Sequence, residues 1–168
     1  MTKINNQPHR FEDDPVAKAL RAGIEHRATW MYLLMDEARK EGLDWDSFAR
    51  RAICRCGHFH GAQKVDACPD VQDLTQFYPY FINEDTEKAL EVEVLEKTED
   101  YLHVAFHYCP LVAAWEKQGA TPEEIAHLCD IAMDGDRGIA AECGLDFTIE
   151  DKIAEGAEVC RIAFRSKK

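Results

Sequence analysis

Two cysteines and two histidines fall within seven residues in "CRCGHFHG" (residues 54–61), a density that suggests a metal site. Whether Cys54, Cys56, His58 and His60 could share an ion depends on the backbone that carries them. On a strand all four would project from one side, whereas on a helix each residue turns by about 100° from the last. The stretch continues an apolar pattern through Trp45, Phe48, Ala49, Ala52, Ile53 and Phe59, which is helical spacing. The four residues then separate into two i,i+4 pairs on opposite sides and fail as a single ligand set. Cys56 and His60 fall on the apolar stripe and are expected to face the interior. There they could line a substrate pocket, or be a buried thiol beside a hydrogen-bonded histidine. Cys54 and His58 are expected at the surface, and Gly57 and Gly61 suit close helix packing.

"FHYCPL" (106–111) offers a second chemistry. A strand ending near His107 and a helix beginning at Pro110 leave Cys109 at the N-cap. Free N–H groups and the helix dipole there favour a thiolate, so a lowered thiol pKa is expected. His107 could exchange a proton with it; the alternative is a capping sulfur and a structural histidine. Asp136 lies on the apolar line of Ile125, Leu128, Cys129, Ala132 and Ile139, where a carboxylate is costly unless it is paired or used. A local kink that turns it outward would also explain the pattern. Cys160 alternates in phase with Ile162 and Phe164, while Arg161 points the other way and could hold an anion. A metal-bound hydroxide on zinc or iron is a further route, with Cys109, His107, Cys160 and Asp136 as its ligands.

The elements that must position these residues follow from periodicity. Residues 1–14 read as a polar tail and 15–168 as one domain. Asp14-Pro15 opens a helix that Gly42 ends, and a second helix runs from Asp44 towards Val65. Residues 68–83, rich in prolines and turn formers, read as a loop. A period of two over 89–97 and 101–107 marks a hairpin. A short helix begins at Pro110, and a capping box at Thr121–Glu124 opens one long helix to about Cys143. A second hairpin, turning at Glu155-Gly156, closes the chain. The order α-α-β-β-α-α-β-β is that of an α+β fold with an antiparallel sheet under helices. The second sheet face is open to solvent, a pocket or a partner, so a homo-oligomer is compatible with the pattern.

The chain has 168 residues, with 20 Lys and Arg against 32 Asp and Glu, a formal net charge of -12. That acidity excludes a phosphate-tracking nucleic-acid partner. No apolar run approaches the ~20 residues of a membrane span. The first fourteen residues lack the apolar core of a signal peptide, and seven cysteines without framework spacing suit reduced thiols. A cytoplasmic protein acting on a small molecule is the expectation.

"HYCPL" (107–111), "LCD" (128–130) and "EGAEVCRIAF" (155–164) together resemble the L-2-amino-thiazoline-4-carboxylic acid hydrolase family, over about the second half of the chain. The residues carrying the resemblance are His107, Cys109, Cys129, Gly156 and Cys160. It implies hydrolytic opening of a cyclic amidine-like ring in a small amino-acid derivative, giving a carbamoyl-cysteine product. Under that reading Cys109, His107 and Asp136 are the catalytic candidates, and Cys160, Arg161, His60 and Cys56 the substrate-binding ones. A ligand- or redox-sensing module without catalysis is the alternative.

Overall fold

A computed structural model of the chain describes residues 3–168. Helix α1 (Pro15–Lys40) starts where the Asp14 carboxylate accepts the N–H groups of Val16 and Ala17, both at 2.9 Å, and the chain turns beyond it through Gly42 at φ 69°. Helix α2 (Trp45–Ala67) follows. The segment 68–83 that reads as a loop contains a helix, α3 (Leu74–Phe81), and a further helix, α4 (Glu84–Leu90), follows it. Asp73 caps α3 through Thr75, and Leu74, Phe77 and Tyr78 are buried. Burial of these side chains outweighs the backbone bond that Pro79 cannot donate.

Four antiparallel strands, β1 (Val92–Lys97), β2 (Tyr101–Phe106), β3 (Asp146–Asp151) and β4 (Cys160–Arg165), lie in the order β1-β2-β4-β3. At the centre Leu102 opposes Phe164, Val104 opposes Ile162 and Phe106 opposes Cys160. This face packs under helices with Phe77, Tyr78 and Cys143. The opposite face carries His103 and Arg161, with small Ala105 and Ala163 buried among their neighbours.

Helices α5 (Pro110–Lys117) and α6 (Pro122–Ala132) build a second core with α1. Trp115 is fully buried there and donates to the Ala28 carbonyl at 3.1 Å, tying α5 to α1. The single long helix expected from Thr121 to Cys143 is two, because the chain breaks at Met133 before α7 (Asp134–Glu142). Arg50 and Arg137 each bind both Asp130 and Asp134, clamping the break from two sides.

The polar N-terminal stretch is docked against the fold. Glu91, 1% exposed with φ 53°, accepts the N–H groups of His9 (3.0 Å) and Arg10 (2.8 Å) and pairs with buried Arg21 at 3.0 Å. Arg21 also donates to the Ala89 carbonyl at 2.9 Å. Among the described residues, no helix is long and apolar enough to cross a membrane.

Helices α2 and α7 cross almost backbone to backbone. A Cβ on Gly57 would lie 2.1 Å from the Gly135 carbonyl oxygen, and one on Gly138 would lie 2.4 Å from that of Cys54. Gly23, in contrast, has open space around it. Gly57→Ala should therefore lower stability by about 1–3 kcal/mol or more through overpacking. Gly23→Ala should raise it by roughly 0.5–1 kcal/mol through helix propensity. Urea midpoints of the two variants check this, and equal shifts would rule out the close crossing.

Candidate active site

Three thiols meet at the junction of helices and sheet. Cys109 is the N-cap of α5, Cys129 lies on α6, and Cys160 is the first residue of β4. Cys109 and Cys160 pack against the core cluster that contains Cys129. Between the 3-10 turn Ile153–Glu155 and β4 the chain reverses through Gly156 at φ 92°, which favours glycine. The Cys160 sulfur then accepts the Ile153 N–H at 3.2 Å.

Burial sets the protonation of this group. It pushes the Cys160 thiol up to about 12 and raises Cys129 as well; Cys109 adds to the rise at both, and Cys160 to that at Cys129. Cys109 is raised too, contrary to the lowered value its N-cap position predicts. The N–H groups of Val112 and Leu111 and the Arg27 guanidinium favour its thiolate, but loss of water outweighs them. No cap hydrogen bond forms to its sulfur. Cys109 is therefore a neutral thiol at neutral pH.

The main chain of Cys109 is held from a distant part of the sequence. Asn6, 4% exposed, donates through Nδ2 to the Cys109 carbonyl at 2.8 Å. Its Oδ1 accepts the Cys109 N–H at 2.9 Å. One carboxamide thus satisfies both backbone groups of the residue before the helix.

Asp136, the acidic candidate, lies in the first turn of α7. The break at Met133 does not turn it outward. It keeps some accessible surface yet lies deep enough among protein atoms that burial raises its pKa to about 6. Arg27, Arg137 and Lys64 oppose that rise. The positive charge of Arg27 on α1 thus favours the ionised form of both Cys109 and Asp136. Arg27 is exposed and has no ion-pair partner among the described residues. Lys64 on α2 is half-buried, and its pKa is lowered by that burial.

Sequence reasoning overlooked Arg27, Asn6 and Lys64. Arg27 shares helical spacing with ordinary surface residues, and Asn6 sits in a stretch with no periodicity. Only tertiary packing marks them.

Other expected site residues are elsewhere. His107 binds Glu93 at 2.8 Å. Arg161 pairs with Asp151 at 2.5 Å. Cys56 and His60 are exposed, which reverses the expected facing of α2. Gly57 and Gly61 face α7 instead, and His58 reaches Glu142 at 2.8 Å. Cys54 is half-buried beside it. The ligand set Cys109, His107, Cys160 and Asp136 does not assemble. Among the described residues, no three His, Cys, Asp or Glu side chains are placed to hold a metal ion.

The family model described as L-2-amino-thiazoline-4-carboxylic acid hydrolase matches residues 21–164, extending well into the N-terminal helices. No curated protein and no solved structure matches the chain.

Thiol reactivity should follow exposure. Exposed Cys56 should alkylate fastest near neutral pH, with Cys109, Cys129 and Cys160 slow until strongly alkaline pH. Peptide mapping after timed iodoacetamide treatment measures this. If Cys109 labelled first, the helix end would outweigh burial.

Proposed function

We propose that this chain, which belongs to the L-2-amino-thiazoline-4-carboxylic acid hydrolase family, opens a cyclic amidine-like ring of a small carboxylate-bearing amino-acid derivative by attack of water. The observation that carries this reading is the half-buried Asp136 carboxylate, raised by burial to about 6 and under the charge of Arg27, which also acts on Cys109. A carboxylate with that pKa is mostly ionised at neutral pH and still basic enough to take a proton from water.

In this scheme the guanidinium of Arg27 holds the substrate carboxylate in a charge-assisted pair. Asp136 orients a water molecule at the ring carbon between nitrogen and sulfur and accepts one of its protons. The water oxygen bonds to that carbon and the carbon–sulfur bond breaks. The departing sulfur takes the proton back from Asp136, and the second water proton ends on the ring nitrogen. A carbamoyl group and a free thiol result, with no change of oxidation state. Neutral Cys109, Cys129 and Cys160 form the apolar wall against which a sulfur-containing ring can lie. A Cys109 thiolate is the less favoured nucleophile because burial keeps that thiol protonated.

Two signs test the role of Asp136. With 2-amino-thiazoline-4-carboxylate as probe, kcat/KM should fall as pH drops through about 6. Asp136→Asn should cut turnover by ~10²-fold or more. The folded-state pKa lies above the unfolded one, so the folded protein holds an extra proton between roughly 4 and 6. Stability then decreases as pH rises through that window and stays lower at neutral pH, so Asp136→Asn should gain up to about 3 kcal/mol at pH 7. Arg27→Met should raise KM by about 10–100-fold with little change in kcat. A stabilised Asp136→Asn with full activity removes Asp136 from the chemistry. Loss of activity in Cys109→Ala alone would return the reaction to the thiolate.

A further inference from the structure

One side of α2 carries Arg51, Cys54, Arg55 and His58, at spacings of three and four that set them in a row. With Arg50 and with Asp134 of α7, this row lines a solvent-open cavity of about 440 Å³. Small-molecule sites span ~300–1,000 Å³. Asp134 is the carboxylate of the cavity wall, and both of its oxygens are taken, by Arg50 at 3.1 Å and Arg137 at 2.6 Å. Arg50 is further committed to Asp46 and Asp130. His58 is held by Glu142 at 2.8 Å. Two cations of the wall are left over. Arg51 and Arg55, one turn apart, are exposed and have no ion-pair partner among the described residues.

Such a pair is unfavourable by itself, because like charges at i,i+4 on a helix repel. The chain has 32 Asp and Glu against 20 Lys and Arg, so carboxylates that could quench the two charges are plentiful. None is placed beside them. We propose that this cavity binds a small phosphorylated molecule, with Arg51 and Arg55 gripping its phosphate. Each guanidinium presents a planar fork of N–H donors. A phosphate dianion can accept from both forks at once and neutralise both charges, whereas one fork satisfies a single carboxylate. The cavity leaves room beyond the phosphate for an organic part, which would lie against the half-buried Cys54 thiol and the arginine stems. The site uses neither Asp136 nor Arg27, so it stands independently of the ring-opening reading.

The test is calorimetric titration of the full chain with glycerol 3-phosphate, inorganic phosphate and succinate at matched ionic strength. Glycerol 3-phosphate should bind one per chain with a Kd of about 1 mM or lower, and more tightly than the other two. Arg51→Met combined with Arg55→Met should weaken it by about tenfold or more, with unchanged circular dichroism because both side chains are exposed. Arg27→Met and Lys167→Met should leave it unaltered. Cys54 supplies a second readout. Its rate with anionic iodoacetate divided by that with neutral iodoacetamide should exceed the same ratio at exposed Cys56, since thiolate content enters both rates and cancels. Glycerol 3-phosphate should protect Cys54 and not Cys56. Absence of both binding and protection overturns the proposal. Binding that survives the Arg51 and Arg55 changes, or is lost in Arg27→Met, overturns it by placing the anion elsewhere. Succinate bound as tightly as glycerol 3-phosphate would overturn it in favour of a dicarboxylate.

Discussion

The glycine crossing of α2 and α7 governs the arrangement around it. A helix can bring its backbone within reach of another only through the side of its smallest residues. With Gly57 and Gly61 meeting Gly135 and Gly138, that side of α2 is committed to α7. Every other residue of α2 takes its direction from this choice. Cys54 and His58 flank the crossing, while Cys56, Phe59 and His60 are carried outward. The same contact fixes α7 close to α2 and sets Asp136, between two of those glycines, in its enclosed position. The break at Met133, clamped by Arg50 and Arg137, lets α7 follow this path instead of continuing α6.

A buried ion pair supplies the second constraint. Glu91 sits in left-handed conformation at the end of α4, and Arg21 neutralises it from α1. Two charges taken out of water cost more than they return unless their remaining hydrogen-bonding capacity is filled. Here it is filled by the N–H groups of His9 and Arg10 and by the Ala89 carbonyl. Satisfying the pair therefore requires the N-terminal segment in place. That segment in turn delivers Asn6 to the main chain of Cys109. The docking of α1 and the shape of the site are thus linked through one carboxylate.

Competition between burial and dipole decides the chemistry. The start of a helix favours a thiolate by partial charges at its free N–H groups, an effect of about 0.3–1 kcal/mol for an exposed group. Removal of water acts on the whole charge and is larger in an apolar cluster. Cys109 experiences both, and burial wins. Burial also raises the pKa of Asp136, to about 6, which is why the proposed reaction uses the carboxylate and not the thiol as proton acceptor.

Local signals in the sequence determined much of this protein. Asp14, Pro15, Thr121 and the glycines at 42, 119 and 156 mark element ends because capping and positive φ depend on one or two neighbouring residues. Both hairpins, the inward phase of Cys160 with Ile162, and the position of Cys109 before Pro110 follow from alternation and turn chemistry in the same way. The strand-to-helix junction at His107–Pro110 also carried part of the family resemblance. Tertiary structure alone decided which side of α2 faces inward, since apolar periodicity assumes that the largest hydrophobic side chains are the buried ones, and here glycines are. It decided that 74–81 is helix, because burial of Phe77 and Tyr78 overrides the proline. It paired His107 with Glu93 and Arg161 with Asp151, and it placed Arg27 where its charge acts on Asp136 and Cys109. Such pairings join residues many positions apart, and their energies depend on solvent exclusion, which no short stretch of sequence contains.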